Sequence, residues 1–231
     1  MYELFEDKTQ IKGVSFQEAG SMGSKFKNLS YLIMHYTAGR GFDSTVEHFR
    51  DGANKVSAHF VVGRDGRLVQ MVPLNRPAWH AGPDSKWTEP GPPLSKPMGE
   101  MDSEELANEV LYRHPTVLSG MNFYALGIEV DNYGPLTKVG SKFKTWFGRV
   151  VPSAQVAEVD PKASGAFGKR YWHAYTEQQI QICEDLAVCL VRGLALKDIL
   201  SHSDVCPGRK TDPGPVFPLK HIRSLVFGRE G

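Results

Sequence analysis

Short apolar runs separated by turn residues set the pattern of the chain. Residues 31–36 (YLIMHY) are apolar and aromatic, the make-up of a buried strand. Tyr31, Ile33 and His35 alternate onto one face of it. A glycine-rich turn (TAGRG) follows, after which Asp43 or Ser44 is placed to cap a short helix through Phe49. The runs AHFVVG (58–63) and LVQMV (68–72) flank the tight turn Arg64-Asp65-Gly66-Arg67, so a β-hairpin is predicted. ALGIEVDN (125–132) reads as another buried strand. From Thr176 to about Leu194 apolar residues recur at helical spacing, and Thr176 with Gln179 forms a capping box. DILSH (198–202) reads as a final strand and residues 217–227 as a last helix.

Between these elements the signal is weaker. Residues 82–100 are rich in Pro and Gly and are expected to be loop. Residues 102–113 fit a short helix capped by Asp102 or Ser103. Residues 134–172 mix Pro, Gly, Lys and aromatic side chains without a clear period, and a loop that long inside a compact domain is often functional. Strands and helices alternate with one antiparallel hairpin. The expected fold class is therefore α/β (α+β mixed): one domain over 1–231, its core about 29–227, with a central mixed sheet flanked by helices.

Composition narrows the function classes. The 231 residues carry a formal net charge of +1, and no basic stripe interleaves with aromatics, which argues against nucleic acid as a partner. No run of about eighteen apolar residues exists, so no membrane-spanning helix is expected. The first residues (MYELFEDKTQIKG) show no basic, apolar and small-residue succession of a secretory signal. The expectation is a cytoplasmic monomer. The cysteines are Cys183, Cys189 and Cys206, too few and too sparse for a disulfide framework. Cys183 and Cys189 fall in the apolar helix and read as core thiols.

Candidate chemistry gathers at strand ends. His35 closes the first buried strand, where a histidine taken alone is more often a hydrogen-bonded core residue than a ligand. His202 ends the last strand, and Asp212 follows ten residues later, across the segment SHSDVCPGRKTDPGP. Two histidines and one carboxylate leave a fourth tetrahedral position open, the pattern of a catalytic zinc site. Cys206, four residues after His202, is the competing third ligand. Glu129 lies inside an apolar run, where a carboxylate is costly unless a partner or a function compensates. It is either a general base or one half of a buried ion pair. Lys210 is either an oxyanion-stabilising ammonium or a solvated surface lysine.

Five blocks, HYTAG at 35–39, SAHFVVGRDGRLVQMVP at 57–73, AWHAG at 78–82, ALGIEVDN at 125–132 and HSDVCPGRKTDPGP at 202–215, together resemble the type 2 N-acetylmuramoyl-L-alanine amidase family. That family spans AmpD-like recycling amidases, phage amidase lysins and peptidoglycan recognition proteins. The resemblance implies one Zn2+ per chain held by His35, His202 and Asp212, with Glu129 as general base and Lys210 as oxyanion stabiliser. It makes Cys206 a bystander. The implied activity is hydrolysis of the lactyl–L-alanine amide of peptidoglycan or muropeptides, in wall lysis as an endolysin or in recycling. A non-catalytic peptidoglycan-binding module of the same fold is the alternative. His80, Trp79 and Asn54 are expected to touch substrate, with support of the metal ligands or a structural turn as the other roles open to His80, and His59 to be packed or to support the ligands. His48, His114, His173 and His221 show no ligand spacing. Other branches carry a tyrosine before HF of the second strand; here Ala58 stands there, so dependence falls on Glu129. Segment 134–172 exceeds a minimal member. Its Trp146, Phe147, Tyr171 and Trp172, with Lys142, Lys144, Arg149, Lys169 and Arg170, suggest either a basic flap for the carboxylates of peptide stems or a structural excursion that covers a sheet edge.

Overall fold

The computed structural model describes residues 2–89, 117–163 and 165–228. The expected helix at 102–113, with its Asp102 or Ser103 cap, lies outside the described residues, as do His114 and most of the 82–100 loop. In chain order the strands are β1 (Ser15–Phe16), β2 (Tyr31–Tyr36), β3 (Phe60–Val62), β4 (Leu68–Gln70), β5 (Lys86–Thr88), β6 (Val117–Ser119), β7 (Ala125–Val130), β8 (Pro135–Val139), β9 (Lys142–Lys144), β10 (Val150–Val151), β11 (Val156–Glu158), β12 (Tyr171–His173) and β13 (Asp198–Ser201). The α-helices are α1 (Phe42–Arg50), α2 (Glu177–Leu194), α3 (His202–Val205) and α4 (Leu219–Phe227).

A six-stranded mixed sheet runs in the order β1-β4-β3-β7-β2-β13. Its one antiparallel pair is the expected hairpin β3–β4, closed by a turn in which Gly66 takes φ 82°, a conformation that glycine adopts without strain. The other neighbours run parallel. Alternation then sorts the side chains. Leu32 and Met34 of β2 and Leu126, Ile128 and Val130 of β7 pack beneath α2 and α4, against Leu186, Leu190 and Ile222, in the largest apolar cluster. Truncating one such buried leucine to alanine costs about 2–5 kcal/mol. Cys183 lies in that cluster and Cys189 packs against it, as core thiols would. Helix α2 begins with both bonds of the Thr176–Gln179 capping box.

The opposite face of the sheet carries the candidate site residues. Val61, Glu129 and His35 are register partners across β3, β7 and β2, so they project to that side in one row. Helix α1 covers part of this face through Phe42, Val46 and Phe49. No described helix is long and apolar enough to cross a membrane.

Three expectations change. Helix α1 starts one residue earlier than its expected caps. Gly41 is the N-cap and makes no side-chain cap bond, so Asp43 and Ser44 sit inside the first turn, where Asp43 instead pairs with Arg67. The last strand stops at Ser201, and His202 opens the one-turn helix α3 capped by Ser201. Segment 134–172 is not a loop. It holds most of a five-stranded antiparallel sheet, β10-β9-β8-β12-β11, with its own small core of Tyr133, Leu136 and Val151.

Candidate metal centre

β2 delivers His35 from the sheet, α3 delivers His202 at its first residue, and the loop after α3 brings Asp212 back. The backbone N–H of Ser203 donates to the Asp212 carbonyl at 3.1 Å, which ties that return to the helix start. The three donor atoms converge. His35 Nδ1 is 2.9 Å from His202 Nδ1 and 2.9 Å from Asp212 Oδ2, and His202 Nδ1 is 2.8 Å from the same oxygen. All three residues are buried.

Backbone carbonyls decide where the imidazole protons sit, since a carbonyl only accepts. His202 Nε2–H donates to the Ala81 carbonyl at 3.2 Å. His80 Nε2–H donates to the Ala125 carbonyl at 3.2 Å, leaving His80 Nδ1 to accept from His35 Nε2–H at 2.9 Å. Both Nδ1 lone pairs therefore aim at one another and at the Asp212 carboxylate. Three converging electron-rich atoms repel unless a cation lies among them, and this donor set of two neutral imidazoles and a carboxylate suits zinc. Protonation states agree. Burial, then the neighbouring His202, pull His35 down to about 4.

Glu129 stands beside His35 in register. Its Oε2 is buried and has no hydrogen-bond partner among the described residues. Burial, then the nearby Asp212 charge, push its pKa up to about 8, against a smaller opposing pull from Lys210. Of the two alternatives for this residue, the buried ion pair is not formed among the described residues, and one carboxylate oxygen is unsatisfied. Glu129 and Lys210 open on one groove of about 910 Å³, which Asn54, Trp79 and His80 also line. Lys210, Trp79 and His80 continue into an adjoining limb of about 480 Å³.

The remaining histidines and Cys206 find other employment. His59 Nδ1 accepts from the Gly127 N–H, and its Nε2–H donates to the Arg76 carbonyl, so both ring nitrogens are used within the fold. His173 stacks on Tyr133 with ring centroids 4.3 Å apart. His221 pairs with Glu184 at 3.3 Å. His48 lines the groove without joining the triad. Cys206 donates its thiol proton to the Ala81 carbonyl and accepts from Arg209; the metal-competent cluster among the described residues is His35, His202 and Asp212.

Sequence reasoning missed the scaffolding. Asn122 Oδ1 accepts from the N–H groups of both His80 and Ala81, fixing the segment whose His80 ring meets His35 and whose Ala81 carbonyl meets His202. Gly127 makes room for it: a Cβ there would lie 2.6 Å from His80 Cγ. The glycine of GIEV was visible as a small residue in a strand, a sign of close approach; Asn122 left no signal. The side chains named for the basic flap divide. Trp146 reaches the groove, whereas Arg149 lies over the Tyr133 ring and Arg170 pairs with Glu158.

The family model for N-acetylmuramoyl-L-alanine amidase (Amidase_2) matches residues 25–215, and the chain belongs to that family. It is 25% identical over 185 residues to the 1,6-anhydro-N-acetylmuramyl-L-alanine amidase AmpD of Escherichia coli (strain K12), covering 80% of this chain and 63% of that one. It is 26% identical over 212 residues to the N-acetylmuramoyl-L-alanine amidase AmiD of the same strain, covering 88% and 55%. The chain thus spans less than two thirds of the length of these relatives. Among solved structures, the complex of E. coli AmiD with anhydro-N-acetylmuramic acid-L-Ala-D-gamma-Glu-L-Lys shares the fold, with TM-score 0.55 and 24% identity over 87% of this chain and 59% of that one.

Proposed function

We propose that the chain is a zinc-dependent N-acetylmuramoyl-L-alanine amidase that hydrolyses the lactyl–L-alanine amide of peptidoglycan or muropeptides. The observation that carries this reading is the convergence of His35 Nδ1, His202 Nδ1 and Asp212 Oδ2 within 2.9 Å of one another, beside a carboxylate with an unsatisfied oxygen. Family membership supplies the substrate class. Bound by these three residues, zinc supplies a Lewis acid for the scissile carbonyl and a charge that eases deprotonation of the attacking water.

The chain's own residues supply the rest. Glu129 takes the proton of the attacking water and hands it to the leaving alanine nitrogen. Lys210, on the same groove wall, sets its ammonium against the oxyanion of the tetrahedral intermediate. His80 keeps the His35 Nδ1 lone pair directed at the metal.

The test is incubation of the purified protein with N-acetylmuramoyl-L-alanyl-D-isoglutamine and mass analysis of the products. The expected products are free N-acetylmuramic acid and L-alanyl-D-isoglutamine with a new alanine amine. Cleavage at another bond, or none, overturns the reading.

A further inference from the structure

The groove at the metal centre has a wall that the reaction above leaves without a task. Trp146 lies in the turn between β9 and β10. It is 74% exposed, yet it is not loose. Its indole Nε1–H donates to the Ala38 carbonyl at 2.8 Å. The turn is closed by Thr145 N–H to the Arg149 carbonyl and by Arg149 N–H to Thr145 Oγ1. The neighbouring Phe147 meets the indole edge-on at 5.3 Å and itself packs on Tyr133, inside the core of the small sheet.

The receiving side is equally set. Ala38 follows the strand that carries His35, and its backbone sits in the left-handed region at φ 48°, an uncommon place for a residue with a Cβ. Its N–H donates to the Asn132 carbonyl at 3.0 Å. The contact therefore joins two conformationally fixed segments and leaves the face of a large aromatic ring open on the groove that Glu129 lines. An exposed aromatic held rigid at a groove wall is a pre-organised contact: binding to it requires little further ordering.

Charge decides which part of the substrate meets it. The Trp146 limb carries charges of both signs, Arg40 with Glu47 and Asp51. The limb on the other side of His80 and Lys210 is lined by Lys55 and Arg209 and, among the described residues, by no carboxylate. Arg209 pairs with the exposed Asp84. In the Trp146 limb the acidic Glu47 and Asp51 offset Arg40, so a peptide stem bearing carboxylates is drawn to the basic limb instead. A neutral pyranose, whose ring C–H groups form an apolar face, suits the aromatic limb. The geometry points to Trp146 as a substrate-binding residue that stacks on the muramoyl sugar ring and sets the preference for substrates that carry that ring. This rests on the amidase reading, from which the substrate class comes.

The experiment compares wild type, Trp146→Ala and Trp146→Phe on two substrates: N-acetylmuramoyl-L-alanyl-D-isoglutamine, and N-lactoyl-L-alanyl-D-isoglutamine, which keeps the scissile amide and lacks the sugar. Trp146→Ala is expected to raise KM on the muramoyl substrate about tenfold, the size of one lost aromatic contact, with kcat within about twofold. On the lactoyl substrate its KM should match wild type. Trp146→Phe, which retains an aromatic face, should recover most of the lost affinity. An unchanged KM on the muramoyl substrate, or an equal rise on both substrates, overturns the assignment of Trp146. Failure of wild type to cleave either substrate overturns the amidase reading on which it rests, and is a different result from both.

Discussion

His80 Nδ1 lies 2.9 Å from His35 Nε2, at the foot of a relay that ends on the Ala125 carbonyl. Burial, then the neighbouring His35 and His59, hold His80 well below its ordinary pKa. It is therefore a neutral acceptor, and it fixes His35 in the tautomer whose Nδ1 lone pair faces His202 and Asp212. His80→Ala should weaken zinc affinity by about tenfold to a hundredfold, the usual effect of removing an orienting partner of a ligand. Competition with a chromophoric chelator measures this. Unchanged affinity would show that His35 keeps its orientation unaided.

Asp212 and Cys206 make a second contrast. Both are buried near His202, but the Asp212 carboxylate alone meets both histidine nitrogens. Asp212→Ala should remove most of the bound metal. Cys206→Ser should leave metal content and turnover nearly unchanged, because the thiol bonds to the Ala81 carbonyl. Loss of zinc in the serine variant would make the thiol the third ligand instead.

Glu129→Gln keeps shape and removes the proton acceptor. Its kcat should fall by about a hundredfold to ten-thousandfold, with zinc retained and KM little changed. Near-wild-type kcat in a metal-loaded variant would place the base elsewhere.

The same residue governs a pH effect on the metal-free protein. Its carboxyl titrates at about 8 when folded, against an ordinary value of 4.5. Between those values the folded state holds a proton that the unfolded state has released, so stability falls as pH rises, by up to about 1.4 kcal/mol per unit. Below the window both states are protonated, and above it both are ionised, so the slope ends on either side. Glu129→Gln lacks this loss. Urea unfolding of the chelated proteins should show the variant's stability relative to wild type rising from pH 5 to pH 8. A gap that does not widen with pH contradicts the burial assigned to Glu129.

Much of the site was legible because its residues sit in short blocks whose chemistry is local: HYTAG and HSDV at strand ends, and a lone carboxylate in ALGIEVDN. Strand facing was equally legible, since alternation places His35 and Glu129 opposite Met34 and Ile128. The rest was carried by contacts with no sequence period. Asn122, Ala81 and Ala125 act through an amide side chain and two backbone carbonyls, which any sequence provides. The sheet in 134–172 escaped because its strands are two to five residues long and largely open to solvent on β8, too short to show alternation. Helix α1 misled because Gly41 caps it with backbone alone.

The most direct measurement is zinc content and muramoyl-peptide hydrolysis on the same preparation, before chelation, after it, and after zinc is restored. The account predicts one zinc per chain, loss of turnover on removal and recovery in proportion to the zinc taken up. Full turnover by protein shown to be free of metal would contradict it.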